Sequence, residues 1–191
     1  MKKRIIALAL AVAMTFSFTA CGGNGEAQDN QESQEVAIAD ATELMTTIWN
    51  AYEGEKFAAV GGDYENAVSD APGKFDYTNQ ENLDAMLAMP GEGADMIDDA
   101  ASLMHMMNAN SFTAGAFHVT DAENVQALAD IMKDSIMNRQ WLCGFPEKML
   151  IVSVGEEYVV SAFGLGEVMD HFKTALIDCY GATVIYEENL V

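Results

Sequence analysis

The sequence has few basic residues, and this limits the partners that it can bind. It contains 9 Lys and Arg against 30 Asp and Glu. Three of the basic residues, Lys2, Lys3 and Arg4, precede the first apolar run, so the rest of the chain carries six basic residues and a formal charge of −24. Nucleic-acid binding depends on neutralising phosphates with Lys and Arg, and anionic lipid repels such a domain. The charge therefore argues against nucleic acid as a partner and against flat adsorption to an anionic membrane.

The sequence also lacks the short motifs by which many enzymes are recognised. It has no GxSxG, HExxH, P-loop or CxxC pattern. Acid–base catalysis by paired carboxylates needs two particular acids, and nothing in the pattern singles out a pair among the thirty. We therefore predict no catalytic residue, no cofactor and no metal site, and expect that the protein is not an enzyme.

No apolar run reaches the twenty or so residues that cross a membrane. The run from Ile5 to Phe18 is shorter and follows three basic residues, which is typical of an export signal. It ends in Phe18-Thr19-Ala20-Cys21, which resembles the lipobox of bacterial lipoproteins, with Phe18 where Leu is usual. The resemblance implies that residues 1–20 are removed and that the thiol of Cys21 carries a lipid. An ordinary cleaved signal with a chance cysteine is the alternative.

The residues after Cys21 predict a tether followed by one domain. Gly22 to Glu35 contains no large apolar residue and is rich in Gly, Gln, Asn and acids, which is typical of a flexible linker, and we assign residues 21–36 to it. Residues 37–191 have the length of a single domain with a substantial core. A lipid anchor and a tether would hold this domain at the cell membrane, facing outside the cytoplasm.

Helices are predicted for the first part of the domain, residues 37–110. Asp40 and Glu43 form a helix start before an apolar face, and Thr78 to Glu81 has the pattern of a capping box. A third helix is predicted from Ala94 to Met107.

The remaining residues, 111–191, predict the order β-α-β-β-α-β. Capping and apolar periodicity predict one helix after Thr120 and another after Gly166. The predicted strands are Ser111–Val119, Met149–Val154, Tyr158–Phe163 and Ala182–Glu187. This order is that of the ferredoxin-like split unit. We therefore predict an α+β fold, a ferredoxin-like sandwich with two helices on one face and additional N-terminal helices. A different α+β topology built from the same elements is the alternative.

Two cysteines remain in the predicted domain. We expect both helices of the split unit to run in the same direction and to end near the same edge, so Cys143 and Cys179 could form a disulfide in an exported protein. The bridge would close a loop of about 36 residues and contribute roughly 3 to 4 kcal/mol. Two buried thiols that act as small apolar side chains are the alternative.

The stretch Trp141 to Pro146 is the most distinctive in the chain. A cysteine between aromatic residues suggests a nucleophile, but Cys143 follows a predicted helix, and a helix C-terminus does not stabilise a thiolate. Arg139 alone is too little to lower the pKa of this thiol. We therefore interpret the stretch as a tight aromatic turn that closes the core.

Possible metal ligands are explained without a metal. Met104, His105 and Met107 suggest Cu(I), but helical spacing separates the imidazole from the thioethers, and core filling accounts for the methionines. His118 and His171 are isolated in sequence, and each is expected to be partly exposed or hydrogen-bonded.

Clustered acids suggest calcium in two places. Asp95, Asp98 and Asp99 lie together, and Asp63 and Glu65 lie in a glycine-rich loop. Neither has the alternating acids, central glycine and distal glutamate of a calcium loop, and acids at a helix start are explained by the helix dipole.

The lipobox, the acidic tether and the stretch Trp141 to Glu147 before a strand hairpin resemble a group of small surface lipoproteins of Gram-positive anaerobes that carry a domain of unknown function. The resemblance implies a location and no activity. Two functions remain open: a non-enzymatic interaction module that binds an envelope protein, with an exposed apolar patch and no deep polar pocket, or a surface protein that binds a small ligand or ion in a concave site.

Overall fold

The computed structural model describes residues 37–142 and 144–191 of the chain. The predicted signal peptide, Cys21, the tether and Cys143 lie outside the described residues. The helices are α1 (Ala41–Ala51), α2 (Gln80–Leu87), α3 (Gly91–Ala94), α4 (Val125–Asn138) and α5 (Gly166–Tyr180). The strands are β1 (Ala59–Gly61), β2 (Val68–Ser69), β3 (Gly73–Lys74), β4 (Ile97–His105), β5 (Phe112–Val119), β6 (Lys148–Val154), β7 (Tyr158–Gly164) and β8 (Thr183–Asn189). None of the helices in these ranges is long and apolar enough to cross a membrane.

The eight described strands form one antiparallel sheet. Its order is β2-β1-β4-β5-β7-β6-β8, and β3 pairs with the same edge of β4 as β1 does. The long strands β4, β5, β7 and β6 lie at the centre, and the two-residue strand β2 and strand β8 lie at the edges. The predicted α+β class is therefore confirmed.

Helices cover both faces of the sheet. α1 and α5 pack on one face, and α2, α3 and α4 pack on the other. Buried side chains of the first face include Leu44, Ile48, Phe112, Val160 and Phe172. Those of the second include Leu83, Phe117, Leu128, Ile151 and Phe163. Because successive side chains of a strand point to opposite faces, the central strands supply both cores.

The ferredoxin-like arrangement is not confirmed, although the order β-α-β-β-α-β is present in β5-α4-β6-β7-α5-β8. In a ferredoxin-like sheet the last strand pairs with the first, but here β4 occupies that edge of β5, and β8 pairs with β6. The crossovers β5-α4-β6 and β7-α5-β8 therefore move in the same direction across the sheet. Their first strands, β5 and β7, run in opposite directions. Two right-handed crossovers of this kind place their helices on opposite faces. This explains why α4 and α5 do not share a face.

The predicted helix from Ala94 to Met107 is wrong, because most of this segment is strand β4. Its Ala, Leu and Met residues favour helices in isolation, but this preference is weak against tertiary contacts. Buried on both faces, β4 has an almost continuous buried stretch without the alternation that identifies a strand. The part of the domain predicted as helical, residues 37–110, therefore also supplies four strands to the sheet.

Local signals were more reliable for the helix starts. The carboxylate of Asp40 accepts a hydrogen bond from the N–H of Glu43 at 2.7 Å, as the predicted cap requires. The cap of α2 lies at Asn79, within the predicted Thr78 to Glu81 box, and accepts from the N–H of Asn82. These two caps determine the residue at which each helix begins.

Candidate functional site

Three loops meet at one end of the sheet, which we call the loop end. They are the β4–β5 loop, the described part of the α4–β6 loop, and the junction of β7 and α5. The side-chain amide of Asn110 donates to the carbonyl of Gly144 at 3.0 Å, which joins the first two. The N–H of Leu165 donates to the carbonyl of Ser111 at 3.0 Å, which joins the first and third. The loops therefore form one continuous surface.

This surface carries exposed apolar side chains. We define the apolar patch as Met106, Met107, Leu142, Phe145 and Leu165, all of which are exposed. Leu142 is 89% exposed and Met107 is 81% exposed. Single exposed apolar residues are common on protein surfaces, but several on adjoining loops are typical of an interaction site.

The predicted aromatic turn at Trp141 to Pro146 is only partly what the structure shows. The Trp141 ring lies 4.9 Å from the Phe163 ring and packs against the core, and Pro146 is buried. Leu142 and Phe145, in contrast, face solvent and do not close the core. The methionines are similar: Met104 is buried as predicted for core filling, whereas Met106 and Met107 are exposed.

A cavity of about 480 Å³ lies beside the patch, and we call it the aromatic pocket. It lies where α1 ends and α5 begins, at the end of β4. Its walls include Tyr52, Phe57, His105 and His171, and Leu165 belongs to both the pocket and the patch. Its volume is in the range of small-ligand sites.

The rings around the pocket are packed on one another. Phe57 stacks on His105 with centroids 5.1 Å apart and planes 17° apart, and Tyr52 meets His171 edge-on at 5.9 Å. Trp49 lies behind them, 5.3 Å from Tyr52 and 5.1 Å from Phe57. Trp49 lies in the last turn of α1, and Tyr52 is the residue that caps its C-terminus, so the end of one helix supplies both rings.

Lys56 is the basic residue of the pocket lining. Its ammonium donates a hydrogen bond to the carbonyl oxygen of Trp49 and lies 3.6 Å from the centroid of the Trp49 ring. The centroid of the Tyr52 ring is 5.2 Å away. Burial lowers the pKa of Lys56. Aromatic faces and the last carbonyls of a helix both attract cations, so this ammonium is held within the chain.

Carboxylates give the pocket a negative potential. Glu55 and Glu167 are part of its lining. Burial raises the pKa of the Tyr52 hydroxyl, and the negative charges of Glu167 and then Glu55 raise it further. Part of this increase comes from the two carboxylates, so the field of Glu167 and Glu55 reaches the Tyr52 hydroxyl.

His105 is fixed by backbone groups. Its Nδ1 atom accepts hydrogen bonds from the N–H groups of Met107 and Asn108, both at 3.2 Å. An imidazole nitrogen that accepts carries no proton, so the neutral ring has its proton on Nε2.

His118 lies at the opposite end of the sheet, in a second cavity of about 400 Å³. Its Nδ1 is 2.5 Å from a carboxylate oxygen of Asp98, and its Nε2 is 3.5 Å from one of Glu157. The ring of Tyr158 packs edge-on against it at 4.9 Å. Burial opposes a positive charge on this imidazole, but the hydrogen bonds and charges of Asp98 and Glu157 outweigh it and raise the pKa. The expectation that His118 is partly exposed or hydrogen-bonded is confirmed.

Three of the acids considered as calcium ligands, Asp63, Asp98 and Asp99, bind groups of the protein itself. Asp99 accepts from the N–H of Ala41 at 2.8 Å and lies 3.4 Å from the ammonium of Lys74. Asp63 is buried and accepts from backbone and side-chain N–H groups. Residues 37–142 and 144–191 contain no group of three or more His, Cys, Asp or Glu that could hold a metal ion.

The possible Cys143–Cys179 disulfide was based on two helices that run in the same direction and end near the same edge, and this expectation is wrong. α4 follows β5 and α5 follows β7, and these strands are antiparallel, so the helices run in opposite directions. α4 ends at the loop end, whereas Cys179 lies 13 residues into α5, about 20 Å from its start at the loop end. Cys179 is half-buried, and burial and then the charge of Asp178 raise the pKa of its thiol. The pairing itself stays a prediction, because Cys143 lies outside the described residues.

Comparisons of the chain with protein-family models, with curated proteins and with solved structures found no match.

The sequence analysis named His105, His171, Met107 and the stretch from Trp141 to Pro146, but it did not predict that they form a pocket and a patch. The signal available for the patch was Leu142 and Phe145 in a segment with a glycine and a proline, where large apolar residues are unusual unless they pack or bind. Phe57 and Lys56 lie in a stretch without periodicity, and no local pattern relates them to His105 or His171.

Proposed function

We propose that this protein is an exported lipoprotein, held at the cell membrane by a lipid on Cys21 and facing outside the cytoplasm. The opening basic and apolar residues, the lipobox-like Phe18 to Cys21 and the acidic tether support this location. A protein with a formal charge of −24 beyond its first four residues would not adhere to anionic lipid by itself, so durable attachment requires a covalent anchor.

The domain acts as a non-enzymatic interaction module that binds an envelope protein. The observation that carries this proposal is the apolar patch, formed by three loops linked at one end of the sheet. Leaving Leu142, Met107 and Phe145 exposed has no benefit for folding, whereas burying them under a partner contributes about 25 cal/mol for each Å² of apolar surface. A large apolar anchor in the centre of a surface is typical of a binding hot spot.

Site-specific photo-crosslinking tests this function. A photoreactive phenylalanine replaces Leu142 in the lipidated protein in its own membrane, and the same residue replaces Tyr64 in a control. Tyr64 is 73% exposed and lies outside the three loops of the patch, in the segment after β1. We expect one polypeptide to crosslink from position 142 and not from 64, and native mass spectrometry of the gently extracted complex to give a defined stoichiometry. Equal crosslinking from both positions, or none from 142, would contradict the proposal.

Binding of a small ligand is the second candidate function, and the aromatic pocket supports it. About 480 Å³ lined by rings, two imidazoles and two carboxylates has the size and mixed chemistry of a ligand site. Native mass spectrometry separates the two candidates, because a bound small molecule adds a small mass that mild activation removes.

A further inference from the structure

The apolar patch and the aromatic pocket adjoin, so one partner can cover both. Leu165 is exposed on the patch and also lines the pocket. Its N–H is bonded to the carbonyl of Ser111, another lining residue, which fixes the boundary between the two. A polypeptide laid across the patch would place one of its side chains at the mouth of the pocket.

A cation of the chain itself already lies against aromatic rings at this site: Tyr52, which lines the pocket, and Trp49, which lies behind it. The ammonium of Lys56 lies 3.6 Å from the Trp49 ring centroid and 5.2 Å from that of Tyr52. Attraction between a cation and an aromatic face operates at exposed sites as well as at desolvated ones. Lys56 is an exposed residue, and the partial burial of its ammonium lowers the pKa. The aromatic ring of Phe57 is also part of the pocket lining.

Charge complementarity also favours a cation. Two carboxylates, Glu55 and Glu167, line the pocket against the one ammonium of Lys56, which already binds a carbonyl. Both carboxylates raise the pKa of Tyr52, so their field reaches the interior of the pocket. The formal charge of −24 beyond the first four residues adds a long-range attraction for positive partners.

We infer that the aromatic pocket takes a Lys or Arg side chain of a polypeptide partner whose neighbouring apolar residues cover the apolar patch. This rests on the proposed function and names the kind of partner: a segment in which one basic residue lies among large apolar residues.

The test uses the full-length lipidated protein in detergent and a pair of labelled peptides. Both peptides contain Leu and Phe around one central residue, which is Arg in the first and citrulline in the second. Citrulline keeps the shape of Arg and lacks its charge. Fluorescence anisotropy measures each dissociation constant for the unchanged protein, for Glu55→Gln with Glu167→Gln, and for Glu92→Gln with Glu156→Gln. The last pair removes two exposed carboxylates outside the pocket lining.

We expect the Arg peptide to bind about tenfold more tightly than the citrulline peptide, a ratio typical of a desolvated cation on aromatic and carboxylate groups. The Glu55 and Glu167 double variant should remove this preference, and the Glu92 and Glu156 control should keep it. Equal affinities for the two peptides, or a preference that survives the double variant, would overturn the inference.

Two further outcomes separate the inference from the proposed function. If neither peptide binds, the inference fails, while crosslinking from Leu142 still decides whether the patch is an interface. Agmatine, a small guanidinium compound, is the second probe. If it binds as tightly as the Arg peptide, and Leu142→Ser with Phe145→Ser leaves the affinity for that peptide unchanged, the pocket binds small cations and the polypeptide partner is wrong.

Discussion

Replacing Asp63 by Ala should strongly destabilise the domain. Asp63 is 3% exposed and lies in the glycine-rich segment after β1. Its carboxylate accepts from the backbone N–H groups of Glu65 at 2.8 Å, Asn66 at 2.9 Å and Asp76 at 2.8 Å. The side-chain amide of Asn66 adds contacts at 3.1 and 3.2 Å. One carboxylate therefore ties the start of this loop to the segment that follows β3.

The magnitude follows from the hydrogen bonds that are lost. A hydrogen bond to a charged group contributes about 1.5 to 3 kcal/mol, and a buried donor without a partner costs about 1 to 3 kcal/mol. Three backbone donors lose their acceptor in Asp63→Ala, and water reaches them in part, so we expect a loss of about 3 kcal/mol in the free energy of unfolding. For a domain of this size, that lowers the melting temperature by roughly 10 °C.

Urea denaturation followed by far-UV circular dichroism measures this loss. Glu65→Gln is the matched control, because Glu65 is exposed and contributes only its backbone N–H to Asp63. The control should change stability by less than about 0.5 kcal/mol. A loss below about 1 kcal/mol for Asp63→Ala, with an unchanged denaturant slope, would refute the reasoning that these hydrogen bonds hold the loop.

The pKa of Asp63 predicts how its contribution to the free energy of unfolding changes with pH. Burial favours the neutral acid, but hydrogen bonds from Asp76, Asn66 and Glu65 outweigh it and lower the pKa of Asp63 below its ordinary value of 3.8. The stabilisation is therefore fully present above pH 3.8 and is lost as the pH falls through the folded pKa. The difference in stability between the unchanged protein and Asp63→Asn should be constant from pH 7 to 5 and should shrink in stronger acid.

Three other predictions follow from single residues. Ser161→Ala should stabilise the domain by about 1 kcal/mol in urea denaturation, because the buried hydroxyl of Ser161 has no hydrogen-bond partner among the described residues, and a loss of stability would contradict this. The raised pKa of His118 means that its contacts with Asp98 and Glu157 stabilise the fold fully below its ordinary pKa of 6.5 and less as the pH rises through the folded value. The stability difference from His118→Gln should therefore decline between pH 6 and 9, and a difference that grows would show the opposite sign. Cys21→Ala should abolish incorporation of a labelled fatty acid and release the protein from membranes, and retention of the label would place the lipid elsewhere.

Local signals in the sequence predicted much of the second half of the domain. The capping acid Asp40 and the apolar face of α1 were also correct, since a cap and a helical period act within a few residues. β6 and β7 were found as apolar runs separated by a turn, and Gly155 in that turn has a φ of 59°, a conformation that glycine adopts easily. These features depend on neighbours in the chain.

The features of the fold that the sequence did not predict depend on pairing between distant segments of the chain. Strand β4 lies against β5, so Met104 is opposite Thr113, but nothing in the local composition of β4 distinguishes it from a helix. The position of β8 depends on which edge is left free once β4 has paired, and the faces of α4 and α5 follow from that choice. The aromatic pocket combines Phe57 from the loop before β1, His105 from β4 and His171 from α5, so it could be recognised only after the fold was known.

The pairing of β4 with β5 also decides how far the chain can be shortened. The last 81 residues contain a complete β-α-β-β-α-β order and look like a module that could be expressed alone. Without β4, however, β5 would become an edge, and its eight residues FTAGAFHV contain no Lys, Glu or Pro to discourage pairing with another chain. α5 would also lose α1, which packs beside it on the same face. The smallest piece that avoids aggregation therefore begins before α1, although most of the recognisable pattern begins seventy residues later.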